Sequence, residues 1–175
     1  MKKFWINCSV FSIFFFGVFF LVLEPKIAFA DCASFAQPGV DWRRCNKNTS
    51  DLTGVDLSNA KLRDVSLIRA DLRDSVLREA DAFRARLVRA QVQGTDFTGA
   101  RLYEADLTRI QGQGALFIDT DLRRVKFINA DLTQADLTRA NIQGADFRDA
   151  DLTGARWIDG QTICATGSIG RCRLK

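Results

Sequence analysis

From Leu52 onward a large apolar residue returns at every fifth position. The series runs Leu52, Leu57, Leu62, Leu67, Leu72, Leu77, then Leu87, Val92, Phe97, Leu102, Leu107, and resumes from Phe117 through Phe147 and Leu152 to Trp157. Two residues before most of these stands a small one, usually alanine, as at Ala60, Ala70, Ala90, Ala100, Ala130, Ala140 and Ala150. The position between them is often Asp, and the two positions after are polar or Gly. Only Ala82 and Gly112 break the series of large residues, and neither shifts its register. On an α-helix, residues five apart are rotated by about 140°, so these side chains would spiral around the axis and share no face. On a straight strand an odd period sends successive large residues to opposite faces. A backbone that turns a corner in each pentapeptide points them all inward. The pattern therefore predicts an all-β coil with short sides, stacked on itself.

A weaker signal at twenty residues sets the number of sides. Phe97 and Phe117 are twenty apart, as are Phe127 and Phe147. Charges alternate at the same spacing: Lys61, Asp81, Arg101, Asp121 in one column; Asp64, Arg84, Glu104, Arg124 in another; Arg86, Asp106, Lys126, Asp146 in a third. With coils about 4.8 Å apart, opposite charges would lie side by side. Each exposed contact is worth only a fraction of a kcal/mol, but the alternation argues for four pentapeptides per coil.

Ala130-Asp131-Leu132-Thr133-Gln134 and Ala135-Asp136-Leu137-Thr138-Arg139 resemble the motif of the pentapeptide repeat family: a small residue, Asp or Asn, Leu or Phe, and two variable residues. The resemblance covers about residues 50–159. It implies a right-handed quadrilateral parallel β-helix of about five coils, roughly 25 Å long and capped at both ends. The segments expected are a signal peptide over 1–30, an N-terminal cap over 31–49, the repeat over 50–159 and a C-terminal cap over 160–175. Val40-Asp41-Trp42-Arg43-Arg44 also falls in register as an imperfect first repeat, whereas Lys47 at the next centre departs from the pattern.

Lys2 and Lys3 precede an apolar run rich in Phe, from about Phe11 to Leu23, followed by Glu24-Pro25-Lys26 and then Ala28-Phe29-Ala30. That is the order of a secretory signal, with cleavage after Ala30 leaving Asp31 first. The rival reading is an uncleaved anchor over Phe4–Leu23, the one way this chain would hold to a membrane. Neither Cys8 nor Cys32 follows the small residue a lipoprotein signal needs. Export, to a periplasm or the exterior, sets an oxidising context. Cys32, Cys45, Cys164 and Cys172 then read as two disulfides, of which three pairings exist on paper. Local pairing is the economical one, since two cysteines lie at each end and none between. A zinc site is the weaker alternative, because the spacings are not those of a metal knuckle.

Trp42 and Trp157, each near a cysteine pair, are candidate lids over the open ends of the coil. Exported members of the family carry similar terminal cysteine pairs. Gly112, within Gln111-Gly112-Gln113-Gly114, predicts a distorted side or an outward loop. Phe83, after the small Ala82, either turns inward or stays outside.

The sequence has no histidine, which removes the commonest general base and zinc ligand. It has no phosphate-binding glycine loop and no nucleophile elbow, so no catalytic residue, cofactor or metal is assigned. Asp51 with Asp71, and Asp131 with Asp151, are like-charge neighbours that could attract a hard cation, against a plain solvated ladder. Two outer surfaces are candidate partner sites. Arg69, Arg89 and Arg109 form a basic column at one corner. Phe83, Tyr103, Ile68, Val88 and Ile128 form an apolar set at the outward position after each centre. The net charge is +4, of which Lys2, Lys3 and Lys26 against Glu24 supply half, leaving the rest near neutral. The leading reading is a non-enzymatic exported scaffold that binds a protein partner or a second copy of itself. The family's gyrase-protecting members resemble duplex DNA, which makes a DNA-mimic, topoisomerase-interacting protein the alternative. Near-neutral charge and the signal segment oppose it, and nucleic acid is not an expected partner. A further alternative is an ion-binding surface; ice binding is weak because Thr98, Thr138 and Thr153 fall on scattered columns.

Overall fold

The computed structural model describes residues 30–174; the signal segment expected over 1–30 lies outside them except for Ala30. No helix among the described residues is long and apolar enough to cross a membrane. The chain forms a right-handed quadrilateral parallel β-helix. Each side is a five-residue unit held by a single parallel bridge to the residue twenty positions on, beginning with Asp41↔Lys61, Asn46↔Ser66, Asp51↔Asp71 and Asp56↔Val76. These four ladders define four faces, named here after Asp41, Asn46, Asp51 and Asp56.

The corner is built the same way in every unit. The centre residue's carbonyl accepts from the N–H three residues on, as in Leu62 to Val65 (3.1 Å) and Leu102 to Ala105 (2.8 Å). The residue two after the centre is left-handed, and seventeen of these positions are held by residues other than glycine. That conformation carries the side chain away from the coil and normally disfavours all but Gly, Asn and Asp. The Asp before the centre braces the turn: its carboxylate accepts from the N–H two residues on, as in Asp51 to Thr53, Asp56 to Ser58 and Asp136 to Thr138. This is an Asx turn, and it explains why Asp recurs at that position.

Inward, the centre residues and the small residues two before them make one continuous core. Phe97 stacks on Phe117 and Phe127 on Phe147, each pair at 5.1 Å, as their spacing of twenty predicts. Where a hydroxyl replaces the small residue it donates to a carbonyl, so that Ser75 and Thr95 both reach Leu72 O and Thr120 reaches Phe97 O. Buried polar atoms so satisfied cost little.

Two expectations change. The coil begins before Ser50, because the Asp41 and Asn46 bridges make residues 40–49 full sides and shorten the N-terminal cap to the residues before Val40. Val40, Trp42 and Cys45 are buried in the core of that first coil. Gly112 causes neither distortion nor loop. Its face keeps its bridges, Gln91↔Gln111↔Asp131. A Cβ at Gly112 would stand 3.2 Å from Ile110 Cδ1, from Leu132 Cδ2 and from Asp131 O. Ile110 therefore occupies the room, and the large and small residues have exchanged places within one side.

Candidate functional site

Because four units make a coil, a residue and its twentieth successor stack, and the outer surface resolves into columns. Ile68, Val88, Thr108 and Ile128, each directly after a centre, form one half-buried column on the corner after the Asn46 face. Arg69, Arg89 and Arg109, one position further, form the exposed column beside it. Together they line a groove of about 580 Å³, closed by Asn48 and Thr49 at one end and Asn129 at the other. Asn48 is itself fixed, its side-chain oxygen accepting from Ser66 Oγ (2.7 Å) and Ile68 N (2.8 Å). From Asn48 to Ile128 the groove crosses four coil spacings, about 19 Å.

The charges along it are uncompensated. No carboxylate among the described residues makes an ion pair with Arg69, Arg89 or Arg109. Most arginines elsewhere on the rod are paired: Arg84 and Arg124 both reach Glu104, Arg139 reaches Asp119, and Arg73, Arg123 and Arg148 each fold back onto the Asp two residues earlier. Arg44, Arg86 and Arg101 also make no ion pair among the described residues, but they stand in separate columns and form no stack of like charges. Those arginines hold the carboxyls of Glu104, Asp119, Asp71, Asp121 and Asp146 below the usual range by direct hydrogen bonding.

The apolar set divides. Phe83 and Tyr103 sit on the neighbouring corner, after the Asp41 face, and do not line the groove. They stack on each other at 5.7 Å, and guanidinium groups close the stack at both ends: Arg63 lies 4.5 Å from the Phe83 ring and Arg123 5.0 Å from the Tyr103 ring. Phe83 stays outside while Ala82 is buried. Their exposed faces are thus already covered, and Ile68, Val88 and Ile128 belong with the arginine column instead. The sequence contained this grouping, since Arg69 and Arg89 directly follow Ile68 and Val88, and Arg109 follows Thr108 of the same column.

The acidic pairs do not gather into a site. Asp51↔Asp71 and Asp131↔Asp151 are bridge neighbours, but their carboxylates are taken up by Thr53, Arg73, Thr133 and Thr153. Among the described residues no group of three or more metal-ligating side chains forms. The cysteines pair locally, Cys32 with Cys45 and Cys164 with Cys172.

The family model for pentapeptide repeats matches residues 50–87, 75–110 and 115–154, in eight copies. The chain belongs to this family. Among solved structures it is similar to a pentapeptide repeat protein of the Arabidopsis thaliana thylakoid lumen, at 28% identity over 69% of this chain and 82% of that one, TM-score 0.44. It is also similar to the pentapeptide repeat protein Rfr23 of the cyanobacterium Cyanothece 51142, at 27% identity over 55% of this chain and 67% of that one, TM-score 0.48. A third is full-length QnrB1, a plasmid-mediated fluoroquinolone resistance protein, at 18% identity over 66% of this chain and 74% of that one, TM-score 0.36. No curated protein sequence matches the chain.

Proposed function

We propose that this pentapeptide repeat rod is an exported, non-enzymatic scaffold that binds a protein partner in the Arg69–Arg89–Arg109 groove. The observation that carries the reading is the unpaired arginine column beside an apolar strip. Like charges at such spacing repel by about 1 kcal/mol even in bulk water, so the guanidiniums splay until an anion meets them. The strip beside them adds desolvation to charge. A protein segment bearing both carboxylates and aliphatic side chains satisfies both columns at once. The DNA-mimic alternative has less support. Asp64, Arg84, Glu104 and Arg124 alternate along their corner, and the acidic Asp51 face is interrupted by Gln91 and Gln111.

Export rests on the signal-like segment and on the two disulfides, which persist in oxidising compartments. The first described residues are compatible with cleavage after Ala30. Asp31 donates its backbone nitrogen to Asp41 O at 3.0 Å, a bond that a new amino terminus would also make. Affinity capture from the exported fraction, comparing the wild type with Arg89→Glu and Tyr103→Ala, tests the groove. Arg89→Glu should lose the partner and Tyr103→Ala should keep it. Full retention by Arg89→Glu ends the proposal. Amino-terminal sequencing of the accumulated protein should begin at Asp31.

A further inference from the structure

The groove runs along the rod axis, so it presents two parallel rows to whatever fills it. One row is Ile68, Val88, Thr108 and Ile128, half-buried and β-branched throughout. Branching at Cβ leaves these side chains few rotamers, so the row is stiff and does not reshape around its occupant. The other row is Arg69, Arg89 and Arg109, each at the left-handed position of its turn. The surroundings preserve the charge of this row. Two residues past Arg89 and Arg109, the position usually held by Asp is Gln91 and Gln111. Past Arg69 the residue is Asp71, and its carboxylate is taken by Arg73. On the other side of the apolar row Arg86 and Lys126 stand exposed, with Asp106 between them.

Both rows repeat at the coil spacing of about 4.8 Å, so the three arginines span about 9.6 Å. An extended segment laid along the groove does not fit this spacing. Its same-face residues lie about 6.7 Å apart, and three of them cover about 13 Å. Its remaining side chains point away, so it offers one row where the groove has two. A sulfated or phosphorylated polymer carries the charge but no apolar row. An α-helix fits in both respects. Residues at i, i+4 and i+7 share a face and span about 10.5 Å, within about 1 Å of the arginines. A helix also carries a second stripe alongside the first for its whole length.

On the footing that a protein partner fills this groove, as proposed above, we propose that it docks as an acidic amphipathic α-helix lying along the rod axis. About thirteen residues, at 1.5 Å each, fill the groove's length of about 19 Å. The helix sets carboxylates at i, i+4 and i+7 against Arg69, Arg89 and Arg109. Its aliphatic stripe lies against Ile68, Val88 and Ile128. The rod supplies the rigid half of the contact, and the partner's helical pitch supplies the register.

Two peptides of identical composition test the match, one with glutamates at i, i+4 and i+7 beside a leucine stripe, the other with glutamates at i, i+2 and i+4. A heparin oligosaccharide is the third probe. Titrated with the purified protein, the helix-spaced peptide should bind and gain helical signal in the far-ultraviolet difference spectrum. Arg89→Glu should weaken that binding by about tenfold. Val88→Gln should weaken it too, and Tyr103→Ala should leave it unchanged. Both groove variants suit the fold: Glu79 and Glu104 already hold the left-handed position, and Gln93 and Gln113 already stand directly after a centre. A strand-spaced peptide or heparin that binds as tightly as the helix-spaced peptide overturns the proposal. So does helix-spaced binding that Arg89→Glu leaves intact. If no probe binds while Arg89→Glu still loses its captured partner, the helix falls and the groove stands. If Arg89→Glu also keeps its partner, both fall.

Discussion

At the N-terminal end a tryptophan goes in; at the C-terminal end a tryptophan stays half out. Trp42 is 1% exposed and occupies a centre position of the first coil. Its indole N–H donates to Ser34 O, and the Lys47 ammonium lies 4.1 Å above the ring while donating to Cys32 O. Residues 31–39, clipped by Cys32–Cys45, complete the cover. Trp157 packs on Phe147 at 5.9 Å but remains half-exposed, and the backbone of the tail supplies the closure, folding back antiparallel through Arg156↔Ile163 and Asp151↔Ile169 onto the Asp56 and Asp51 faces. One end is sealed by filling volume and the other by extending the ladder. The first kind of cap protects apolar surface; the second protects hydrogen-bonding groups, and here protects only two faces of four.

The difference can be tested most strongly at the tryptophans. Trp42→Ala should cost about 3–5 kcal/mol in urea unfolding, the usual range for emptying a buried aromatic site. Trp157→Ala should cost less than half as much, and equal costs would erase the distinction. Next in size are the bridges. Replacing either cysteine pair by alanine should cost about 3 kcal/mol, since both close short loops. The separations of 13 and 8 residues differ too little for loop entropy to separate them. Only loss of Cys164–Cys172 should also speed hydrogen exchange at Leu152 and Trp157. Unchanged exchange there would show that the tail holds without its clip.

The smallest effect is acid. Ser34 Oγ and the Ala33 N–H hold the Asp31 carboxyl below the usual range, and Thr162 with Gln161 does the same for Asp159. A depressed folded-state value means the stabilisation is present above the ordinary carboxyl range and is lost as pH falls through the lower folded value. Both caps should therefore loosen below about pH 4, and Asp31→Asn or Asp159→Asn should flatten that response at its own end. Melting curves at stepped pH that coincide for wild type and variants would count against it.

The period of five carried the fold because it leaves one geometry in which Leu62, Leu67 and Leu72 share a core. The period of twenty was equally readable, since the Lys61, Asp81 and Arg101 positions do stack. What misled was treating single residues outside their unit. Gly112 read as a defect, although Ile110 two residues earlier restores the volume. Lys47 read as a centre that departs from the pattern, yet it is the cation that covers Trp42. Phe83 and Tyr103 were grouped with Ile68 by hydrophobicity, whereas their arginine neighbours decide their company. The groove was half legible: its columns were visible, but their adjacency required assigning both to one corner. The open final edge left no trace in composition, because backbone groups carry no letter.

A ladder whose rungs join only successive coils also has a mechanical meaning. Pulled by its termini, such a rod has no long-range tie to share the load, so it should peel from one end. Each released coil of twenty residues would lengthen the chain by up to about 70 Å. The covalent clips then act as stops that delay the first release, and a chain of this design would pay out slack in equal lengths.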